Sequence, residues 1–558
     1  MVRLNEVKSE FYSKMHFSDD LIARPFTYND SNGFVIYFNT TVDEKWLENT
    51  FFKQLALNDN HANPKPLLEQ VASASIEEKA TIAECLPMLW AGKYVIVYGD
   101  ENPIYITAEA TLAITRSIEE PYNERALRGS HEGFVENLFV NLNLIRRYAK
   151  TDNLLIRKRQ VGQSIQKDVA VVYIQGKADP AVLKRLMTKL SEIESEIIST
   201  PGTLNELLQD SKKSIFPQIL YTERPDAVIG NLAEGRIAVL MEGNPTALIF
   251  PVSFFSFFQA MDDYNIHFLL GSFLRSVRFI ALLMSILFPS LYISLVAFHF
   301  EIIPQSLIVS VKSSLQNIPY PPLVEALIME FTIELIREAG LRLPAPIGQT
   351  IGIVGGLVIG EAVVNAGLVS NMMIIVVAIT AISSFVIPSP EMSQVIRLTR
   401  FPLMVAAATF GLLGVVLSFF VMLMHLIKLE SFGTPYFSPL APFNAKGLKD
   451  GLLRFPIWLI QKHTYMSSPT PLGAKRKKDK SMERVNELGK TQLFWLFVHS
   501  QIGIGLLSLP YTLYQAAGTD GWISLLVAFV FVQLAITVLA WLHKRYPNEH
   551  CSVFAKKY

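Results

Sequence analysis

The chain has 558 residues, of which 50% are hydrophobic and only 18% are charged. Soluble proteins carry about a quarter charged residues, and this composition excludes disorder or a coiled coil as the overall structure. The 50 lysines and arginines nearly balance the 49 aspartates and glutamates; a net charge of +1 does not favour nucleic-acid binding. The two cysteines, Cys85 and Cys551, fit neither a disulfide framework nor a zinc site, so we expect no metal and no cofactor.

The first half of the chain has the pattern of an α/β protein. Residues 1–20 lack the apolar core of a signal peptide, so we expect a cytoplasmic N-terminal region. Apolar runs typical of strands are Phe34–Phe38, Tyr94–Tyr98, Val169–Ile174, Ile237–Met241 and Ala247–Phe250. Segments with helical periodicity are Asp43–Leu55, Ile76–Leu89, Gly133–Tyr148 and Pro180–Ile198. This alternation favours mixed or partly parallel sheets packed by helices.

The second half is apolar, and we expect an all-α transmembrane helix bundle there. The basic stretch Lys150–Gln166 marks a boundary between two α/β subdomains. The predicted regions are 1–155 and 156–272 for the subdomains, 273–430 for the bundle, 431–490 for a polar tail and linker, and 491–558 for a C-terminal fragment with two helices.

The first predicted span is Phe279–Phe300, which is uncharged and long enough to cross ~30 Å of hydrocarbon. Its Pro289 is expected to kink the helix. Arg275 and Arg278 precede the span, so the positive-inside rule places its N-terminal end in the cytoplasm. Further apolar stretches are Ile347–Leu368, Met372–Ile387 and Leu403–Ile427.

The number of spans is in conflict with the charges. Four spans return the basic cluster Lys475–Lys480 to the cytoplasm, as expected, but place Arg397 and Arg400 outside. A buried or re-entrant segment between residues 301 and 346 would change the count, and the sequence leaves this open.

The segment Pro319–Pro346 alternates charged and apolar residues at helical spacing. Its charged residues are Glu325, Glu330, Glu334, Arg337, Glu338 and Arg342. One interpretation is a structural helix at the membrane interface with paired charges. The other is a helix packed among the spans that lines an aqueous path or gate, because buried charges must pair or meet water.

The next apolar stretch is rich in glycine. Gly352, Gly356 and Gly360 recur every four residues, a spacing that lets helices pack closely. Glu361 follows within the apolar run, and an ionisable residue at that depth is a functional candidate. Leu357, Glu361 and Val364 are therefore the predicted pore or gate residues. The alternative is that Glu361 snorkels or pairs with a neighbouring arginine.

Motifs of enzymes are missing from the sequence: we find no Walker loop, no HExxH pair and no GxSxG elbow. The adjacent Asp262 and Asp263 do not face each other on a helix, and we interpret them as solvated residues before the first span. We therefore expect no catalytic residues and no enzyme activity.

Several long motifs resemble the A subunit of bacterial spore germinant receptors, the GerA family. They are EPYNERALRGSHEGFVENLFVNLNLIRR at residues 120–147, the block at residues 318–371 that begins IPYPPLVEALIMEF, IPSPEMSQVIRLTRFPLM at 387–404 and SFGTPYFSPLAPF at 431–443. The resemblance covers most of residues 20–470. One departure is Ser130, where we expect proline after the Arg-Gly pair; this change is expected to loosen a turn.

The resemblance implies a multi-pass protein of the inner membrane of a dormant spore. In such receptors the A subunit acts with a transporter-like B subunit and a lipoprotein C subunit to sense small nutrients. It is thought to oligomerise into a ligand-gated ion channel that starts germination. An alternative, from a different class, is a non-conducting signalling scaffold in which the membrane part only anchors the protein. A third is a transporter-like protein.

Residues 491–549 resemble the start of the B subunit, which is similar to amino-acid/polyamine/organocation transporters. The resemblance makes Gly503 and Gly505 the break in the first helix, a remnant of a germinant-binding motif. A transporter site needs helices from both repeats, and this fragment has two, so we expect it not to bind a germinant alone. It is either the remnant of a gene fusion or frameshift, or a fragment that docks on other helices.

Overall fold

The computed structural model divides the chain into two units, residues 1–469 and 470–558. The residues described all belong to the first unit. They are 2–28, 31–58, 76–99, 103–110, 121, 124, 129–316, 318–344, 347, 355–356, 360–444 and 447–460.

The first sheet has five antiparallel strands in the order β1-β2-β4-β5-β3. They are β1 Leu21–Tyr28, β2 Ser31–Phe38, β3 Ile76–Lys79, β4 Lys93–Tyr98 and β5 Ile104–Glu109. The helices are α1 Val2–Lys14, α2 Glu44–Leu47, α3 Lys53–Asn58 and α4 Ile82–Trp90, with a π-helical turn Glu48–Phe52 joining α2 to α3. Successive side chains of β2 point to opposite faces: Phe34 packs with α1 and α4, and Val35 packs with α2 and α3. Helices therefore cover both faces.

The second sheet also has five antiparallel strands, in the order β6-β7-β9-β10-β8. They are β6 Leu154–Val161, β7 Lys167–Ile174, β8 Leu220–Thr222, β9 Ile237–Met241 and β10 Ala247–Phe250. The helices are α5 Leu138–Tyr148, α6 Pro180–Ser191, α7 Pro201–Leu208 and α8 Pro225–Ala233. Helices α6 and α7 cover one face and α5 and α8 the other. Because α5 packs here, the second core draws on residues from both sides of the predicted boundary at residue 155.

The strand predictions are confirmed, but the expected mixed or partly parallel sheets are wrong. Every pair of described strands is antiparallel. In the two five-stranded sheets, four connections are hairpins or short links, and a short link can join neighbouring strands only in the antiparallel direction. The predicted helix Ile76–Leu89 is the strand β3 followed by α4. The basic stretch 150–166 contains β6, whose charged side chains lie on its more exposed part.

A buried ion pair joins the two sheets. Arg146 of α5 donates from Nε and Nη2 to the Asp20 carboxylate at 2.9 and 2.8 Å. Ser18 and Thr40 also donate to Asp20. Burial alone would raise the pKa of Asp20, but Arg146 and these hydroxyls outweigh it, so the pKa is lowered. Both partners are almost fully buried, so neither charge has water as a substitute.

Ser130 contacts two neighbouring side chains. Its Oγ lies 2.8 Å from the Tyr148 hydroxyl, and its carbonyl accepts from Arg224 Nη2 at 3.1 Å. The loosening of the turn stays a prediction.

The rest of the described chain is helical. The helices are α9 Asp262–Asn265, α10 Phe268–Ala297, α11 Gln305–Leu315, α12 Pro322–Arg342, α13 Gly360–Asn365, α14 Asn371–Phe385, α15 Pro390–Lys428, α16 Leu448–Gly451 and α17 Ile457–Ile460. Two of these described helices, α10 and α15, are long and apolar enough to cross a membrane, and α14 is a shorter apolar helix. Helix α10 begins before the predicted span and passes through Pro289 without ending.

Helix α15 folds back on itself at Gly411, whose φ of 61° and ψ of −143° are not helical. Ser214, in the second α/β layer, shows the reversal. Its Oγ bonds His425 near the end of α15 at 2.9 Å, and it borders a cleft with Glu391 at the start of α15. Both arms of α15 thus end beside the α/β layers. We call that end of the helical region the base, and the opposite end, where Gly411 meets Phe298, the tip.

The segment after α15 returns to the base. A two-stranded ribbon, β11 Glu430–Ser431 and β12 Thr434–Pro435, leads to Tyr436. The Tyr436 hydroxyl donates to the Pro217 carbonyl at 2.7 Å, and its carbonyl accepts from the Phe254 amide at 2.8 Å. An aromatic cluster of Phe254, Phe255, Phe257, Phe258 and Tyr436 fills this junction. The helical region is therefore packed directly on the second α/β layer.

Candidate functional site

A buried group of charges lies at the base of α10. Asp263 accepts from Arg278 at 2.6 Å and from Arg275 at 3.3 Å, and Arg275 also reaches Asp450 at 2.9 Å. Tyr264 donates to Asp450 at 2.8 Å. Burial raises the pKa of Asp450, and Arg275 opposes this shift.

The interpretation of Asp263 as a solvated residue is therefore wrong. Its side chain is 0% exposed, because α9 folds it against α10 instead of leaving it in water. Arg275 and Arg278 carry neutralised charges, so they are weaker topology signals than the sequence indicated. Arg454 closes the group by donating to the Ile266 carbonyl at 2.5 Å.

A second group of charges lies inside the helical region, between α12 and α15. Glu330 pairs with Arg400 at 2.5 Å, and both side chains are 3% exposed. One turn away, Glu334 accepts two hydrogen bonds from Arg397 at 2.7 and 3.0 Å. The spacing of four residues on α12 and three on α15 places both pairs on facing helix surfaces. We call these two pairs the charge ladder.

Glu325 lies nearer the tip and has a different partner. It is 0% exposed and accepts the Ser370 amide at 2.9 Å, while its second oxygen has no hydrogen-bond partner. It lies in the first turn of α12, and Ser370 caps the start of α14. Two helix N-termini, where the helix dipole is positive, therefore face this carboxylate.

The charges at the C-terminal end of α12 lie toward the base. Arg337 donates to Ser384 Oγ at 3.1 Å and lies 4.1 Å from the centroid of the Phe385 ring. Glu338 and Arg342 form an exposed pair at 2.7 Å.

These contacts bear on the two interpretations of α12. Four of its six charges, Glu330, Glu334, Glu338 and Arg342, are in ion pairs, as the structural interpretation expects, but Glu325 and Glu330 are buried among α10, α14 and α15. The ladder neutralises Arg397 and Arg400, so the two arginines are weak topology signals. Helix α12 lies between residues 301 and 346 and buries Glu325, Ala326, Met329 and Glu330, while the number of spans stays a prediction.

The glycine-rich stretch is described only in part. Glu361 is exposed and Val364 half-buried, both on α13. Gly356 is exposed with open space around it, and Gly360 begins α13. At Gly355 an added Cβ would meet Ile336 of α12 at 3.2 Å. Leu357, Gly352, Gly503 and Gly505 lie outside the described residues, so the roles proposed for them and for the rest of this set stay predictions.

Sequence reasoning missed the partners of these charges. Arg275 and Asp450 are 175 positions apart, and no local spacing links them. Arg397 and Arg400 gave a signal, because two arginines three residues apart in an apolar stretch need carboxylates. The glutamates of α12 were the obvious candidates for them.

Two α/β layers with antiparallel sheets, packed on apolar helices that bury ion pairs, define a membrane-associated protein with a large N-terminal domain. This chain belongs to the Bacillus/Clostridium GerA spore germination protein family, whose model matches residues 8–466. A second family model, described as spore germination protein (Spore_permease), matches residues 487–558.

Two relatives from Bacillus subtilis (strain 168) illustrate the match. Spore germination protein A1 is 38% identical over 448 residues, which are 80% of this chain and 92% of the relative. Spore germination protein KA is 36% identical over 452 residues, 80% and 83% of the two chains. The crystal structure of the N-terminal domain of the A subunit of the Bacillus megaterium spore germinant receptor GerK3 is 25% identical. It covers 45% of this chain and 95% of that domain, with a TM-score of 0.35.

The chain is thus an A-type spore germination subunit that carries a C-terminal segment of the permease-like type. The resemblance to both receptor families is confirmed. The family and the apolar helices indicate membrane association, and the two matched families point to association with other receptor subunits.

Proposed function

We propose that this chain is the channel-forming A subunit of a nutrient-gated receptor in the inner membrane of the spore. In this proposal it crosses the membrane several times with its N-terminal domain in the cytoplasm. It assembles as a homo-oligomer and acts with a transporter-like B subunit and a lipoprotein C subunit. The observation that carries the proposal is the charge ladder, because its Glu330–Arg400 pair is buried between apolar helices, and such a pair is costly and usually functional.

The orientation rests on what gathers at the base. The second α/β layer lies there, and both arms of α15 end there. Arg454 holds the segment that precedes the basic cluster Lys475–Lys480 at the same end. Basic segments favour the cytoplasmic face, so the base faces the cytoplasm.

The ion path is assigned to α13. Glu361 is exposed there, although its neighbours Ala362, Val363 and Val364 are apolar. A carboxylate at that depth needs water or a cation. A ring of Glu361 side chains around the axis of an oligomer would favour cations, with Leu357 and Val364 as the gate on either side. The ladder, by fixing α12 against α15, holds the closed arrangement.

Ion flux through the purified complex in liposomes tests this proposal. Germinant should trigger cation release, and Glu361→Gln should change the selectivity or the rate by several-fold without loss of assembly, because a neutral ring attracts cations less. Glu338→Gln is the matched control, since Glu338 is also exposed but lies on α12, where it pairs with Arg342 of the same helix. Flux absent from every sealed preparation would favour the scaffold, and germinant uptake by this chain alone would favour a transporter.

A further inference from the structure

Arg337 differs from the other arginines of α12 and α15, Arg342, Arg397 and Arg400, because no described carboxylate pairs with it. Its Nη2 donates to Ser384 Oγ at 3.1 Å, and its buried Nε has no hydrogen-bond partner. A guanidinium carries five N–H donors. Arg342, one turn further along α12, instead uses Nε and Nη2 to bind Glu338.

The charge around Arg337 is not balanced within the described part of the chain. Glu330 is taken by Arg400, and Glu334 by Arg397. Counting these four residues with Arg337 gives three cations and two anions, a net charge of +1. The Nε of Arg397 is also buried without a partner. A partly desolvated arginine with unused donors attracts an anion.

The side chains beside Arg337 are apolar and exposed. The Phe385 ring, over which the guanidinium lies, is 69% exposed, and Ile382 one turn earlier on α14 is 65% exposed. On α12, Leu341 follows Arg337 by one turn and is 75% exposed. A cationic group flanked by exposed apolar side chains suits a ligand with an anionic head and a hydrocarbon chain.

We propose that Arg337, with Arg397 behind it, binds the phosphate of an anionic phospholipid between α12 and α14. The planar guanidinium matches phosphate oxygens in a two-bond arrangement, and the acyl chains run along Phe385, Ile382 and Leu341. The proposal rests on the placement of the base at the cytoplasmic leaflet, and it does not depend on ion conduction. Phosphate is the shared chemistry, and the apolar surround favours a lipid over free phosphate as its source.

Native mass spectrometry of the detergent-purified full chain, titrated with phosphatidylglycerol or phosphatidylcholine, tests the site. We expect phosphatidylglycerol to bind preferentially and Arg337→Gln to weaken it by at least roughly ten-fold. Arg342→Gln is the matched control and should bind like the parent. Arg337→Lys, which keeps the charge but loses the fork, should bind with intermediate strength and covers the case in which the glutamine variant does not fold.

Equal binding of phosphatidylglycerol by the parent and both Arg337 variants would overturn the proposal. Displacement of the lipid by millimolar inorganic phosphate would overturn the lipid as the ligand and assign the site to soluble phosphate. Ion flux is measured in a separate experiment. An Arg337→Gln variant that no longer binds the lipid but still conducts ions supports the lipid site, whether or not Glu361→Gln changes the flux.

Discussion

At the scale of single residues, several buried carboxylates of this chain are paired with arginines. Glu330 with Arg400 and Asp263 with Arg275 and Arg278 are pairs in which both sides are nearly inaccessible. Such a pair adds little stability compared with apolar residues, but removing one partner leaves an uncompensated buried charge. The pairs therefore fix which helix surfaces meet more than they strengthen the fold.

Arg400→Ala should destabilise the helical region by about 3–5 kcal/mol, because Glu330 then loses its counterion. The thermal midpoint of the purified chain, followed by size exclusion in detergent, measures this. Combining Arg400→Ala with Glu330→Ala should cost less than the sum of the two single changes. Arg342→Ala, whose pair with Glu338 is exposed, should leave the midpoint nearly unchanged. Equal effects of Arg400→Ala and Arg342→Ala would contradict the account.

Glu124 makes a prediction about pH. Burial raises the pKa of its carboxyl to about 7, against the hydrogen bonds from Thr222 and the Glu223 amide. Because the folded pKa lies above the ordinary glutamate pKa of 4.5, the folded state holds the proton more tightly than the unfolded state between pH 4.5 and 7. The contribution of Glu124 to stability is complete below the unfolded pKa and is lost as pH rises toward 7.

Glu124→Gln removes this titration, so the variant should gain stability over the parent as pH rises from 5 to 8, by up to about 1.4 kcal/mol per pH unit. Denaturant midpoints at several pH values test it. The exposed Glu194→Gln should follow the parent. Parallel profiles for parent and Glu124→Gln would show that the carboxyl is ionised throughout.

At the scale of elements, α15 is two helical arms that reverse at Gly411. Each arm is about 30 Å long or slightly less at 1.5 Å per residue, close to the thickness of the hydrocarbon core. The φ and ψ of Gly411 lie in a region that essentially only glycine occupies. An added Cβ there would also meet the side chains of Phe298 and His299 at 3.1 to 3.2 Å.

Gly411→Ala should therefore destabilise the turn by about 1–3 kcal/mol and lower the thermal midpoint in detergent. Gly340→Ala is the opposite case, since Gly340 lies inside α12 with open space around it. That change should raise stability by up to about 1 kcal/mol. A Gly411→Ala variant as stable as the parent would mean that the arms do not reverse there.

Periodicity and composition predicted the elements well but not how they join. Short continuous apolar runs identified the strands because helices cover both faces of each sheet. Hydropathy located the apolar helices but merged the arms of α15, since a glycine in an apolar run carries no sign of its backbone angles. The prediction of strand direction was wrong because a helical connection does not require parallel strands. In the first sheet, β3 and several helices lie between β2 and β4 in sequence; β3 forms the edge, and β2 and β4 pair antiparallel.

The site was predicted in its residue types rather than its contacts. The charged face of α12 was visible from its spacing, and so were Arg397 and Arg400. Their pairing depends on how two helices 60 to 70 residues apart are packed, which local sequence does not encode. Asp263 was misread for a different reason: its partners Arg275 and Arg278 follow only 12 and 15 residues later, but the spacing does not show that α9 folds back against α10.

At the scale of the whole molecule, the A-type unit attaches its helices to its α/β layers through one junction at the base. The aromatic cluster, the Asp263 group and the returning segment around Tyr436 and Arg454 meet there. A rearrangement of the N-terminal domain would act on α10 and on both arms of α15. In the proposed function, this junction is the route by which a partner subunit would gate the channel.

The segment that follows matches a second family model over residues 487–558. Deleting residues 485–558 should leave the assembly and germination behaviour of the A-type unit intact, because the match to the GerA family ends at residue 466, before the deleted segment. Complementation of germination by the truncated chain tests this. Failure of the truncated chain to assemble would show that the segment is an integral part.

The mass of the purified complex in nanodiscs, measured by native mass spectrometry with and without residues 485–558, tests the central claim most directly. The account predicts the same discrete homomultimer for both forms, since the A-type unit alone builds the ion path. Monomers in both forms would contradict a channel built by this chain and would favour a scaffold or a subunit that assembles only on its partners.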